Sequence, residues 1–414
     1  MTPSAVRRFL IYNPEHTFEP FPMSLDLPQL LQPVDDLSAF AAKRAGELAQ
    51  ALPAAQRSLH NAAGVDRQAL NVKIAAAGAG WRGARPTDEP LDATFPPPAH
   101  PPELHVFGAD GSQVYADRHA AAYYYLVNIG GLHLHHGSGE PPRAFTRPSI
   151  YFRDEDLLTA SGGAVDETLV KTRRDVAEMQ ALAEVAAAAA GSPGLALLDN
   201  GLILWQASQE HHAPRPEVRE LLRAYLRAMA AVQAQAVALA GFINRPRNAN
   251  LLALLALAEI PDEQVSPESA RRLPAPGLTD RALMRQHLAE GQRSARFVPV
   301  SPLNTVFADE GQEVQAFYLK TADDVARVEI PTWVGEDPKT LAQVHAGVIE
   351  QCRVTGIPYV LVRAHELAVV RPPDRQALDQ LVAAALTRHG LLPEISQKSR
   401  TKRWTASRRR HVVG

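Results

Sequence analysis

Residues 104–204 constrain the fold of this 414-residue chain more than any other stretch. Three apolar runs rich in aromatic or β-branched residues follow one another: LHVFGA at 104–109, YYYLVNIGGLHL at 123–134 and SIYF at 149–152. Short runs of this kind favour strands, and strands in immediate succession tend to pair. DETLVKTRRDVAEMQALAEVAAAAAGSPG, 166–194, then has helical spacing, with Asp166 at its start and Gly191, Pro193 and Gly194 at its end. LALLDNGLIL at 195–204 is the next strand. A helix over 217–238 and a strand at 237–243 continue the alternation. Strand readings at 314–320, 326–330 and 358–364 follow, with helices at 338–355 and 374–389. Three consecutive strands followed by alternating helices and strands predict an α/β fold, a mixed sheet flanked by helices.

The flanks read differently. Leu37, Phe40, Ala41, Ala45, Leu48 and Leu52 repeat at threes and fours, which predicts an N-terminal helical segment over 1–80. Residues 81–103 hold many prolines and are read as an extended linker or strap. A helical insertion is expected at about 245–295, and a basic tail at 396–414.

Composition excludes several classes. Lys and Arg number 43 against 45 Asp and Glu, a net charge of −2, so any nucleic-acid surface must be local. One cysteine, Cys352, rules out a disulfide within the chain and a cysteine zinc cluster. The run Phe9 to Tyr12 is too short for a signal-peptide core, and the Ala-rich stretches are short or interrupted by Arg223 and Arg227. A soluble, cytoplasmic protein without membrane contact is expected.

Two acids end apolar runs in parallel fashion. Asp110 precedes Gly111 and Ser112, and Asp199 precedes Asn200 and Gly201. Asp-Gly and Asn-Gly are also hairpin-turn dipeptides, so a plain turn is the competing reading. Between them, Glu178 borders the apolar stripe of its helix, while Glu184 shares a face with Gln180 and Arg173. His365, in RAHE, follows the run PYVLVRA. An Asp, Glu, Asp and His set suits one or two Mn²⁺ or Mg²⁺ ions, because oxygen donors fit both and an imidazole favours Mn²⁺.

Other signals carry less. Gly78, Gly80 and Gly83 spell GxGxxG, but ARPTDEP follows instead of the helix that a dinucleotide site needs. HGSG at 136–139 reads as a loop, and His133, His135 and His136 as surface hairpin residues. The pair His211 and His212 has no accompanying carboxylate motif.

VFGADGSQVYADRH, ALLDNGLI, GFINRPRNANLLALL, LTDRALMRQHLAEGQRSARF, ARVEIPTWV and QVHAGVIEQCRVTGIPYVLVRAHELAVV occur in this order across about residues 78–400. Together they resemble the NurA nucleases of prokaryotic DNA-end processing. The resemblance implies a ribonuclease H-like nuclease domain, 104–395, that works as a homodimer and requires Mn²⁺, with Mg²⁺ as a substitute. It further implies 5′ to 3′ degradation of single- or double-stranded DNA ends, with single-strand endonuclease cutting as an added activity. A hexameric HerA-like translocase is the implied partner, and DNA repair at the nucleoid the implied setting. Carried over by motif, the metal-binding acids fall on Asp110 and Asp199, and the histidine on His365. The helix glutamate falls on Glu178, with Glu184 as the alternative. The chain has LLDNGL where relatives often have LLDGSL, and Ile357 stands before Pro358 where they often have tyrosine, which leaves Tyr359 as the catalytic tyrosine candidate.

Against that background Lys398, Arg400, Lys402 and Arg403, beside Trp404, are expected to contact the DNA backbone, with Arg245, Arg247 and Arg293 as further phosphate contacts. The rival reading is a DNA-end-binding or translocase-docking subunit without catalysis.

Overall fold

The computed structural model describes residues 25–391 except 119, 190, 206–214, 274 and 323. Lys398, Arg400, Lys402 and Arg403 therefore lie outside the described residues, as do His211 and His212. The chain divides into two units, Met1–Ala51 and Leu52–Gly414. In the first, the described residues are helical from Leu27, with Leu31, Leu37 and Phe40 exposed. Helices α1 (Leu31–Ala62) and α2 (Arg67–Ala76) answer to the expected N-terminal helices.

Residues 81–103 act as a strap. Strand β1 (Ala84–Pro86) pairs antiparallel with β9 (Phe297–Pro299), and β2 (Thr94–Phe95) with β8 (Arg293–Ser294). Trp81, Ala84 and Leu91 are buried. Prolines remove donors, so the pairings are short and stay at the sheet margin.

The centre is a five-strand arrangement: β3 (Leu104–Val114), β4 (Tyr125–His136), β5 (Arg143–Tyr151), β6 (Gly194–Asp199) and β7 (Ala238–Ile243). Their order across the sheet is β5-β4-β3-β6-β7. β4 runs antiparallel to β3 and β5, whereas β3, β6 and β7 are parallel. This order, with its second strand reversed, is that of a ribonuclease H-like core. β11 (Val325–Pro331) and β10 (Val314–Lys320) extend it antiparallel beyond β7 towards β9 and β1, giving a sheet of eleven strands among the described residues.

Helices α3 (Glu167–Ala186) and α4 (Pro216–Ala234) cover one face, packing with Phe107, Ala109, Ala196 and Leu198. The expected insertion carries α5 (Asn250–Glu259) and α6 (Asp280–His287), and α7 (Pro302–Asp309) precedes β10. The other face packs Leu104, Val106, Leu195 and Leu197 against α8 (Pro338–Cys352) and α9 (Tyr359–Ala368). Helix α10 (Pro372–Arg388) closes the described chain.

The strand expected at 358–364 is the helix α9. Its β-branched run suits a strand locally, but Val360, Leu361, Ala364 and Ala368 form one buried helical stripe, and that stripe faces the sheet. The stripe meets strand backbone at close range. A Cβ on Gly130 would lie 2.3 Å from the Ala368 nitrogen and 2.6 Å from the Ala364 oxygen.

The β3–β4 ladder also gathers histidines. His105 Nδ1 lies 2.9 Å from His133 Nε2, and the His105 and His135 rings stack at 3.8 Å. His133, expected on the surface, is buried, because Phe107 stacks on it at 4.5 Å and excludes water. Glycines 137 and 139 take positive φ in the loop after β4, as the loop reading of HGSG requires.

Two predictions follow from this packing. Gly130→Val should push α9 off β4 and destabilise the protein by about 1–3 kcal/mol, read by denaturant unfolding; unchanged stability would contradict the close approach. Burial, helped by the neighbouring imidazoles, lowers the His133 pKa to about 4 and lowers that of His105. These rings stay neutral in the folded state while the unfolded chain takes up protons below about 6.5. Their stability contribution is therefore complete above that pH and is lost as pH falls towards 4. His133→Gln should flatten the fall in melting temperature across that window; an unaltered slope would count against the buried pair.

Candidate active site

Register brings the first two acids together. Ala109 pairs with Leu198 across the parallel β3–β6 ladder, so the next residues, Asp110 and Asp199, lie side by side on the same face at the end of β6. Asp110 is inside β3, not in a turn, which removes the hairpin reading for it. Asp199 does end its strand, and Asn200 turns the chain at φ 138°.

Helix α9 supplies His365. Its Nδ1 donates to Asp110 Oδ2 at 2.7 Å, since a carboxylate can only accept, and the Gly111 amide donates to Oδ1 at 2.8 Å. The ring is largely exposed, leaving its second nitrogen towards solvent.

Glu178 reaches the acids from α3 on the opposite face. It can do so because residue 111 has no side chain: a Cβ there would lie 2.5 Å from Glu178 Oε1 and 2.7 Å from Arg174 Cγ. Glu178 is 5% exposed. Glu184 instead lies exposed on α3 and pairs with Arg147. Of the two glutamates, the structure brings Glu178 to the acids.

The acids perturb one another. Burial, then Asp175, Asp110 and Asp199, push the Glu178 carboxyl well above its ordinary range, against the pull of Arg174. Burial and then Asp110 raise Asp199, with His365 opposing. Burial raises Asp175 despite Arg174, with Asp110 adding to the rise. Desolvation and like charge both favour the protonated acid, and a bound cation relieves both.

Asp175 is a site residue that sequence reasoning missed. It lies one turn before Glu178, next to Arg174, and no motif singles it out. Glu329 is another. Its Oε2 accepts from the Leu202 amide at 2.8 Å, and its Oε1 accepts from Arg327 Nη2 at 2.7 Å. Both side chains of this pair are essentially unexposed. Glu329 thus fixes the turn after Asp199. The legible signal was Arg327 and Glu329 at period two within an otherwise apolar strand, a pattern that buried charge needs a partner to permit. Asp175, Glu178, Asp199, Trp205, Tyr225 and Glu329 all border one cavity of about 290 Å³.

The donor set fits a hard divalent cation: carboxylate oxygens, one imidazole, and a buried Glu178 Oε1 that accepts no hydrogen bond. Asp110, Glu178, Asp199 and His365 are the residues that would hold it, with Asp175 behind them. Among the described residues no three His, Cys, Asp or Glu side chains are already grouped to hold an ion. Asp110 is engaged by His365 and Gly111, and Asp175 and Glu178 face Arg174.

The other expected site residues lie apart. Tyr359 begins α9, six residues before His365 and about 9 Å along the helix axis, and is 41% exposed. Arg293 is buried, donates to Glu89 at 2.8 Å and lies 3.8 Å from the Phe95 ring, beside a separate cleft of about 1020 Å³. That guanidinium is spent inside the protein, which does not suit a phosphate contact. Arg245 is exposed and reaches Asp324 Oδ2 at 3.4 Å, and Arg247 is exposed.

Among the described residues no helix is long and apolar enough to cross a membrane. No curated protein matches the sequence. Solved structures similar to the chain include the NurA nuclease from Sulfolobus solfataricus, at 12% identity, covering 87% of this chain and 98% of that one with a TM-score of 0.48. A NurA bound to dAMP and manganese gives 11% identity, 87% and 98% coverage and a TM-score of 0.38. The catalytic domain of human endonuclease V gives 15%, 76% and 97%, and 0.31. The NurA domain model matches residues 104–370, from the first residue of β3 to just beyond α9 and thus across every acid and the histidine above. By that match over most of its length, the chain belongs to the NurA nuclease family.

Proposed function

We propose that the protein is a divalent-metal-dependent DNA nuclease, with Mn²⁺ the preferred ion and Mg²⁺ a substitute. The observation that carries this reading is the convergence of Asp110, Glu178 and Asp199 from three elements, with His365 held on Asp110 at 2.7 Å. A bound divalent ion would polarise the scissile phosphate and a water.

The chain's own groups have distinct parts. Asp110, Glu178 and Asp199 concentrate negative charge where the ion is needed. Hydrogen-bonded through Nδ1, His365 keeps the tautomer whose exposed second nitrogen has a free lone pair, so that nitrogen can serve either as a ligand to the ion or as the group that takes up a proton and passes it to the leaving oxygen, but not as both at once. Glu329 and Arg327 keep the turn after Asp199 in place. Tyr359 stands apart from these groups and is given no step.

The finer reading follows the family resemblance: 5′ to 3′ exonuclease action on DNA ends, single-strand endonuclease cutting, a homodimer, and coupling to a HerA-like hexameric translocase in DNA-end resection and break repair. Arg245, Arg247 and the basic tail are the proposed backbone contacts. A cytoplasmic, nucleoid-associated location goes with this role.

End-labelled linear DNA should be degraded with Mn²⁺ and spared with EDTA, and Asp110→Ala should lower the rate by at least about a hundredfold. Separate 5′ and 3′ labels read the polarity. If the wild-type protein makes no cut even with a translocase added, a DNA-end-binding or docking subunit is the better account.

A second prediction separates binding from folding. Because Asp199 is harder to ionise in the folded state, its charge at neutral pH opposes folding in the absence of metal. Asp199→Asn should raise the metal-free melting temperature by about 1–2 °C, the equivalent of about 1 kcal/mol in a chain of this size, and abolish stabilisation by Mn²⁺. A lower metal-free melting temperature would refute the electrostatic account.

A further inference from the structure

We propose that Arg174 is a built-in counter-ion for the acidic site, whose guanidinium must leave Glu178 and Asp175 before a divalent ion binds, so that arginine and metal compete for the same carboxylates. The proposal rests on the metal-dependent reading above and concerns how that site is kept and loaded.

Arg174 lies inside the cluster and is mostly buried. Its Nη2 donates to Asp175 Oδ1 at 2.5 Å, its Nε donates to the same oxygen at 3.1 Å, and Nη1 donates to Gln113 Oε1 at 3.2 Å. The Nε also lies 3.1 Å from Glu178 Oε1. That last approach is an ion pair without a hydrogen bond, since Oε1 accepts none and is shut off from water. Glu178 therefore receives charge from Arg174 but no directed donor. A small divalent ion offers more to that oxygen than a diffuse monovalent guanidinium whose donors point elsewhere.

Charge and space both support exchange over simultaneous occupancy. One guanidinium is shared between Asp175 and Glu178. Burial works against its charge, yet Glu178 and Asp175 raise the Arg174 pKa on balance. Gly111 closes the space on the strand side, where a single Cβ would already collide with both Arg174 and Glu178. Gln113, two residues further along β3, already accepts from Nη1 and offers the guanidinium a resting place once Glu178 is released.

The test is Mn²⁺ binding without DNA, read by the electron paramagnetic resonance of free Mn²⁺ and by calorimetry, for wild type, Arg174→Ala and Arg174→Lys. Both variants should bind Mn²⁺ about tenfold more tightly, the scale of one charge-assisted interaction no longer displaced. Metal-free Arg174→Ala should melt below wild type, and saturating Mn²⁺ should close the gap. Lysine keeps the charge but cannot fork between Asp175 and Gln113 while lying against Glu178. If Arg174→Lys binds like wild type while Arg174→Ala binds tightly, the effect is charge at a distance and the proposal falls. Equal or weaker binding by Arg174→Ala overturns it as well, as that result would make the arginine a support for the acids. Where alanine prevents folding, the lysine variant decides alone. If wild type and variants all fail to bind Mn²⁺, the metal reading of the site fails first and takes this proposal with it.

Discussion

Four carboxylates gathered where water is scarce set the terms for the rest of this structure. Asp110, Asp175, Glu178 and Asp199 come from two strands and one helix, and burial alone makes the last three reluctant to ionise. Such a cluster survives folding only if positive charge and hydrogen-bond donors are brought to it. His365 and the Gly111 amide serve Asp110, and Arg174 serves Asp175 and approaches Glu178. The neighbouring Glu329 is met by Arg327 and the Leu202 amide. The site is thus locally destabilised and held by the surrounding fold, as expected of groups arranged for binding rather than for stability.

That holding is done by close backbone contacts as much as by charge. Helix α9 carries His365 to Asp110 only because Gly130 lets the helix backbone come down onto β4. Glu178 reaches past β3 because residue 111 is also glycine. The DGS motif therefore has a mechanical meaning beyond its acid: aspartate places one carboxylate on one face, and glycine opens the path for a second carboxylate from the other.

The central strands and crossover helices were legible because their apolar runs and helical spacing agree with their burial on both faces of the sheet. Asp110, Asp199, Glu178 and His365 were picked out by motif, and the fold sets them near one another. The nature of α9 was not legible, because PYVLVRA is rich in β-branched residues and its helical stripe is short; tertiary packing against β4 decided it. The pairing of β1 with β9 and β2 with β8 joins residues about two hundred positions apart, and no local pattern announces such contacts. Asp175 escaped for a different reason: a carboxylate next to an arginine on a helix carries no signal of its own, and only the third dimension shows both turned inward.

The turn in LLDNGL is set by two separate demands. The residue after Asp199 takes φ 138°, a conformation that glycine enters freely and that lies outside the left-handed region where asparagine is favoured. The following Gly201 meets a separate demand: a Cβ there would lie 2.4 Å from Glu329 Oε2, the oxygen that accepts from the Leu202 amide. Moving the glycine one place along exchanges some backbone strain at Asn200 for the room that Glu329 needs. What the turn must preserve is the direction in which the chain leaves Asp199, and Glu329 enforces that direction from β11, beyond β7 in the sheet.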